Sequence, residues 1–150
     1  MIDPPDQPHT LETLTAALRA AGIRVTRQRA ALLRVLAQAV DHPDAPELQK
    51  RAEGDVPGIS LSTVYRTLAT LEAQGVVLRH QFDGTSARFE PAQSTESGHH
   101  DHMIDVDTSE VIEFCSDRIE QLQAEIAAEL GYEIVHHRFE LYVRKARARD

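Results

Sequence analysis

Four consecutive residues, His99-His100-Asp101-His102, concentrate the metal-ligating chemistry of this chain. Imidazole nitrogen and carboxylate oxygen together suit Zn, Fe, Mn or Co. The chain continues Met103-Ile104-Asp105-Val106-Asp107, alternating apolar and polar toward its end, which predicts a strand over 99–106. Successive side chains of a strand point to opposite faces. His99 and Asp101 then face one way, His100 and His102 the other. Each pair is half of a site for a divalent cation, so one short stretch serves two sites back to back. The competing reading is a solvated histidine-rich loop; the strand pattern and the candidate ligands elsewhere in the chain tell against it.

The elements that must position these residues are legible from periodicity and caps. Leu11, Leu14 and Leu18 predict an amphipathic helix over 10–21, stopped by Gly22. Thr26 N-caps a second helix running to about Ala39. His42-Pro43 prevents its continuation, and Asp44 caps a third helix from Ala45 to about Ala52, with Pro46 tolerated in its first turn. Ser60 or Ser62 caps a fourth helix to about Gln74, with Gly75 as its stop and Val64, Leu68 and Leu71 as its buried stripe. Tyr65, Arg66 and Thr70 lie off that stripe, and Thr63 is polar as well. A helix presenting Ser, Thr, Tyr and Arg near its N-terminus suits a major groove, where Arg takes two acceptors on a guanine edge. Two strand-like runs, 76–82 and 85–90, flank Asp83-Gly84, a hairpin signal. Four helices and a hairpin are the order of a winged-helix domain with one extra N-terminal helix.

A polar linker over 91–98 follows. Beyond it the pattern predicts a strand over 99–106, a turn at 107–109, a strand over 110–114, a helix over 117–130 capped by Ser116, and a strand over 132–143. Ile119, Leu122, Ile126 and Leu130 form the stripe that this helix should bury. A unit of about 50 residues rarely stabilises itself without metal or oligomerisation, so a dimer that completes the core is the economical expectation. The tail over 145–150 reads as disordered. The fold class is therefore α+β, with a winged-helix DNA-binding domain over 1–90, a hinge linker over 91–98 and a metal-binding α/β dimerisation domain over 99–150.

Charge divides the chain at the same place. Residues 1–93 carry 10 Lys+Arg against 11 Asp+Glu, and residues 94–150 carry 6 against 13. Between Glu12 and Asp41 there are five arginines and no acid. A cationic patch on an otherwise acidic protein is the footprint of nucleic-acid binding diluted by a second domain. The single Cys115 excludes an internal disulfide and a four-thiolate zinc site. No apolar run approaches the ~18 residues of a membrane span, and residues 1–9 carry no signal-peptide pattern, so the expected compartment is the cytoplasm, with no membrane partner.

Several segments together resemble the ferric uptake regulator family. They are Gly-Ile-Arg-Val-Thr-Arg-Gln-Arg (22–29), Ser-Thr-Val-Tyr-Arg-Thr-Leu (62–68), Gly-Val-Val-Leu-Arg-His (75–80), Arg-Phe-Glu (88–90), His-His-Asp-His-Met-Ile (99–104) and Val-Ile-Glu-Phe (111–114). The resemblance covers roughly residues 10–143. It implies a homodimeric, metal-dependent repressor, not an enzyme, that binds an inverted-repeat DNA operator and takes no small-molecule substrate. It implies two metal sites per subunit. A regulatory site at the hinge would use His42, Glu90, His100 and His102, and a site inside the dimerisation domain would use His99, Asp101, Glu120 and His137. It places Thr63, Tyr65 and Arg66 on the recognition helix and Arg24 at the minor groove. Fe(II) or Mn(II) is the expected metal in the cell, with Zn(II) the third candidate.

The departures from the family pattern also carry expectations. Many members hold a structural zinc with a Cys-x-x-Cys pair after the histidine cluster; here those positions are Asp105 and Thr108. The hinge carboxylate is Glu90, where peroxide-sensing relatives have Asp. Of the adjacent His136 and His137, only one can face a site. His9 and His80 read as surface residues, Glu113 and Asp117 as solvated. A metallohydrolase is the weakest rival, because such loops begin His-x-His and residue 97 is Ser. Two stronger rivals are a metal-storage protein and a winged-helix regulator whose metal is only structural.

Overall fold

The structure is a computed structural model that describes residues 7–92 and 100–147. The chain divides into two compact units, Met1–Ser94 and Thr95–Asp150. The first contains α1 (Gln7–Ala20), α2 (Arg27–Gln38), α3 (Ala45–Asp55), α4 (Leu61–Ala73), β1 (Val77–His80) and β2 (Arg88–Pro91). The second contains β3 (Asp101–Asp105), β4 (Val111–Phe114), α5 (Asp117–Glu129) and β5 (Glu140–Val143). No helix among the described residues is long and apolar enough to cross a membrane.

Capping chemistry decides where the helices of the first unit begin. The Thr26 hydroxyl accepts from the Arg29 N–H at 3.2 Å, and Asp44 Oδ1 accepts from the Glu47 N–H at 2.9 Å. Ser60, not Ser62, caps α4, its hydroxyl accepting from the Thr63 N–H at 3.2 Å. Gly75 ends α4 in the left-handed region (φ 73°), which a residue with a Cβ adopts only under strain. Leu14, Leu18, Leu32, Leu33, Leu36, Leu48, Val64, Leu68 and Leu71 bury together as one core, as the stripes of α1 to α4 require. Thr67 is buried beside them and satisfies its hydroxyl by donating to the Thr63 carbonyl at 2.7 Å.

Asp44 links this helical layer to the hairpin. Its second carboxylate oxygen accepts from the Ser86 hydroxyl at 2.8 Å, and the Phe89 N–H donates to the Pro43 carbonyl at 3.0 Å. Asp44→Ala removes a helix cap and a tertiary hydrogen bond at once. The expected cost is about 1.5–3 kcal/mol of unfolding free energy, read from urea denaturation of the metal-free protein. An unchanged midpoint would show that neither bond matters.

β1 and β2 pair antiparallel, His80 opposite Arg88 and Leu78 opposite Glu90. Asp83-Gly84 therefore does not close a tight two-residue turn. The ladder stops at His80, and residues 81–87 form the connection. Phe82 is the reason: it is buried rather than alternating along a ladder, and its carbonyl accepts from the Thr85 N–H and hydroxyl at 3.3 and 3.1 Å.

In the second unit the strand order is β4-β3-β5, with β3 antiparallel to β4 and parallel to β5. A parallel pair needs a crossover, which α5 supplies. The strand expected over 132–143 is regular only from Glu140 to Val143, because its partner β3 spans only Asp101–Asp105. β3 likewise begins at Asp101, so His100 precedes it; His99, linker residues 93–98 and tail residues 148–150 lie outside the described residues. Pro91 belongs to β2.

Two expectations for α5 fail. Ser116 occupies the N-cap position, but its side chain makes no capping bond; instead its carbonyl accepts from the N–H groups of Ile119 and Glu120. The stripe Ile119, Leu122, Ile126 and Leu130 is not buried: α5 has no buried residue, and Leu122, Ile126 and Leu130 are 56%, 48% and 70% exposed. A single copy of a unit this small cannot cover both faces of its helix.

The turn between β3 and β4 is built without thiolate. Asp105 Oδ1 accepts from the N–H groups of Asp107 and Thr108 at 2.8 and 3.3 Å, and these bonds hold its carboxyl below the usual carboxylate range. Arg144, just past β5, donates to both carboxylate oxygens of Asp107 at 2.8 and 3.1 Å. The turn is thus tied through Asp107 to the residue that follows the C-terminal strand.

Candidate metal centre

In the first unit, three residues far apart in sequence meet at the hairpin. Glu90 lies on β2, His80 on β1 and His42 in the loop between α2 and α3. His42 Nε2 stands 2.8 Å from Glu90 Oε2, and His80 Nε2 stands 2.7 Å from Glu90 Oε1. One carboxylate therefore addresses an imidazole with each of its oxygens. The two rings meet edge to face, with centroids 5.7 Å apart. His42 is 3% exposed, so its ring is almost fully withdrawn from water.

The backbone of His42 is left-handed, φ 52°, a conformation that costs a residue with a Cβ roughly 1–2 kcal/mol. The surroundings enforce it. Arg51 donates to the Asp41 carboxylate at 2.9 Å and to Glu47 at 3.0 Å, which anchors the chain just before His42 on α3. Arg88 donates to the His42 carbonyl at 3.4 Å. The Arg51 guanidinium holds the Asp41 carboxyl below its usual range, so that anchor is in place above the ordinary carboxylate pKa and is lost as pH falls through the lowered value. Strain held in place by several independent contacts is a pattern found at ligand-binding sites.

In the second unit, Asp101 on β3, Glu120 in the first turn of α5 and His137 before β5 offer ligand atoms within 4.8 Å of one another. His137 Nε2 is 3.6 Å from Asp101 Oδ1 and 3.4 Å from Glu120 Oε1. Asp101 is 1% exposed. His136 is exposed, so of the adjacent pair it is His137 that faces the cluster. On the opposite face of β3, His102 lies directly across from Glu113 on β4, with Nε2 and Oε1 4.0 Å apart.

The expected ligands therefore divide as follows. His42 and Glu90 come together, as do Asp101, Glu120 and His137, and Asp101 and His102 take opposite faces of β3 as alternation requires. His100 is half-buried just before β3 and is not part of the second unit's cluster; His99 lies outside the described residues. Two readings are corrected. His80 is not a surface residue but half-buried against Glu90, and Glu113 is not solvated but half-buried across from His102. Glu113 was accessible to pairing arithmetic, since an antiparallel turn at 107–109 sets β4 against β3. His80 had no such signal, because the length of the connection after it is set by where Phe82 buries.

Both clusters fit a divalent cation of the first transition row. Each combines imidazole nitrogen with carboxylate oxygen, includes a residue that is almost fully buried, and contains no thiol, Cys115 being exposed elsewhere.

On α4, Tyr65 is 49% exposed and Arg66 is exposed, while Thr63 is half-buried and accepts from the Ser60 hydroxyl at 2.9 Å. Arg24 is exposed in the loop between α1 and α2, its carbonyl accepting from Arg29.

A four-helix unit with a two-stranded wing, joined to a small α/β unit, with histidine–carboxylate clusters in each, defines a class: metal-dependent transcriptional regulators with a winged-helix and a dimerisation domain. The chain matches the model of the ferric uptake regulator family over residues 20–142, and it belongs to that family. It is 50% identical over 143 residues to the ferric uptake regulation protein of Brucella abortus biovar 1 (strain 9-941), covering 95% of this chain and 99% of that one. A zinc-bound manganese uptake regulator of known structure is 42% identical, with a TM-score of 0.78, covering 89% of this chain and 99% of that one. The ferric uptake regulator from Pseudomonas aeruginosa, solved with manganese, is 45% identical, with a TM-score of 0.68 over 89% of this chain and 98% of that one. The protein is accordingly a transcriptional regulator that uses a divalent metal and works as a dimer on DNA; it is not an enzyme.

Proposed function

We propose that this protein is a cytoplasmic repressor of iron- or manganese-homeostasis genes, binding an inverted-repeat operator while a divalent metal is held at its hinge. The winged-helix domain covers 1–90, the hinge 91–98 and the dimerisation domain 99–150. His42, Glu90, His100 and His102 form the regulatory site; His99, Asp101, Glu120 and His137 form the second. The observation that carries this reading is Glu90: a carboxylate at the end of the wing, already facing the buried His42, just before the linker that leads to the histidine tetrad.

The four hinge ligands would come from both sides of the linker. A cation bound to all of them would hold the two domains, and through the dimer the two recognition helices, at one separation. Moving a hinge from mostly open to mostly closed takes ~5.5 kcal/mol of differential binding. Structural metal sites reach ~10–16 kcal/mol, so a four-ligand site suffices with margin. Thr63, Tyr65 and Arg66 on α4 read the major groove, and Arg24, within the acid-free stretch between Glu12 and Asp41, reaches the minor groove.

Donors without sulfur do not by themselves separate Fe(II) from Mn(II). Zn(II) outcompetes both at such donors in dilute solution, so availability in the cell selects the metal. The relatives' names support both iron and manganese as candidates.

The test is operator binding by metal-stripped protein, titrated anaerobically with Fe(II), Mn(II) and Zn(II) at one salt concentration, since phosphate contacts make affinity steeply salt-dependent. Operator binding that tightens by about 10²-fold with Fe(II) or Mn(II) is the expected outcome for a hinge whose closed fraction rises from about 1% to about 99%. Equal affinity with and without metal would reduce both clusters to structural staples. Metal binding with no sequence-specific DNA binding would favour storage.

A further inference from the structure

His80 is the residue at the hairpin that the proposed ligand set leaves unused. It lies on β1, diagonal to Glu90 across the ladder, since His80 pairs with Arg88 and Leu78 with Glu90. Its Nε2 is 2.7 Å from Glu90 Oε1, while His42 faces the other oxygen, Oε2, at 2.8 Å. An ionised carboxylate only accepts, so in the tautomer with its proton on Nε2 His80 donates to Oε1. The ring is held in that orientation by Phe82. The two rings stack with centroids 5.5 Å apart and planes 4° from parallel, within the offset-stacked range, and Phe82 is itself 1% exposed.

We infer that His80 is a positioning residue for the hinge site: it donates to Glu90 Oε1 and thereby turns Oε2 toward the position shared with His42. This rests on the proposed role of Glu90 and His42 as ligands. Carboxylates that bind metal are themselves held by hydrogen bonds, and loss of such a partner typically lowers metal affinity 10–100-fold. A β-strand ladder and a stacked aromatic ring supply a rigid mount for that bond. The side chain of Glu90, with its several rotatable bonds, would otherwise sample orientations in which Oε2 points away from His42.

Metal-stripped full-length protein and its variants are titrated with Mn(II), free ion being read by EPR. The His42→Ala variant reports the second site alone and allows the hinge site to be isolated. His80→Leu should bind hinge Mn(II) about 10–100-fold more weakly. His80→Gln, whose amide can still donate to Glu90, should stay within about threefold of the parent, and pulsed EPR should count the same number of Mn-coupled imidazoles in both. Equal losses in the Leu and Gln variants, or one imidazole fewer in His80→Gln, would make His80 a ligand and overturn the inference. An unchanged affinity in His80→Leu would overturn it as well. Should His80→Leu fail to fold, the affinity and imidazole count of His80→Gln still decide. If instead Glu90→Ala keeps the parent's full Mn(II) affinity, the hinge site itself is wrong, independently of how the His80 variants behave.

Discussion

Replacing Leu122 and Ile126 together by aspartate should convert the dimer to monomers at micromolar chain concentration. These side chains stand 56% and 48% exposed on α5, a helix that buries none of its residues within one copy. They are the i and i+4 positions of one stripe, which continues to Leu130, itself 70% exposed. An isolated helix face of this kind is stable only when something covers it, and the unit that carries it spans only Thr95–Asp150. A second copy is the occupant that a dimeric family provides. About half of each side chain's burial remains to be gained, and a twofold interface uses each position twice. The pair therefore contributes roughly 3–6 kcal/mol, or ~10²–10⁴-fold in the dissociation constant. Buried carboxylates add a further penalty in the same direction. Sedimentation velocity against concentration reads the result. A variant that sediments as the parent dimer would place the interface elsewhere. Metal binding to the first unit's His42 and Glu90 should survive the change.

The second large effect is expected from Glu90→Ala. The carboxylate it removes faces His42 Nε2 at 2.8 Å and His80 Nε2 at 2.7 Å, so one substitution takes away the only acid of that cluster among the described residues. The other proposed hinge ligands, His42, His100 and His102, are neutral imidazoles and supply no anion to offset a dication. Hinge-metal affinity should fall by more than the 10–100-fold typical of losing a partner outside the ligand shell. Specific operator affinity should then drop to that of metal-free protein at any metal concentration that saturates the parent. Anisotropy of labelled operator DNA, at constant salt and with buffered Mn(II), provides the readout. Dimerisation should be unchanged, because Glu90 lies on β2 of the first unit. If Glu90→Ala responds to metal as the parent does, the regulatory role of this cluster is refuted while the fold and family stand.

The two predictions probe different kinds of information. Helix starts were legible because they depend on a few adjacent residues. Thr26, Asp44 and Ser60 each bond to an N–H three positions on, whatever the rest of the chain does. The stripes of α1 and α4 were legible for the same reason, since a 3.6-residue period needs only the helix itself. The split of Asp101 and His102 between faces of β3 follows from the two-residue period of any strand. Fold class was therefore accessible without coordinates, and the family was accessible separately, through the resemblance of its sequence motifs.

The errors lie where two segments distant in sequence had to meet. Phe82 withdrew from the ladder into the interior, lengthening the connection to residues 81–87 and setting His80 diagonal to Glu90. β5 formed only where β3 was present to pair with it, and residues 132–139 stayed irregular although their composition suited a strand. Ser116 had the chemistry of a cap, but its side chain made no capping bond.

The sequence by itself determined the order of elements, the caps of the first unit, the family and the chemistry of the metal ligands, namely which residue types recur at which spacing. Only the tertiary structure decided that Glu90 faces two imidazoles rather than one, that His42 is held in a left-handed backbone by Arg51 and Arg88 contacts, and that the apolar face of α5 finds no cover among the described residues of its own chain. The reason is physical. Caps and periods are local free energies, fixed by neighbours a few bonds away. Convergence of side chains depends on register and burial, which are settled only when the whole unit competes for the same interior.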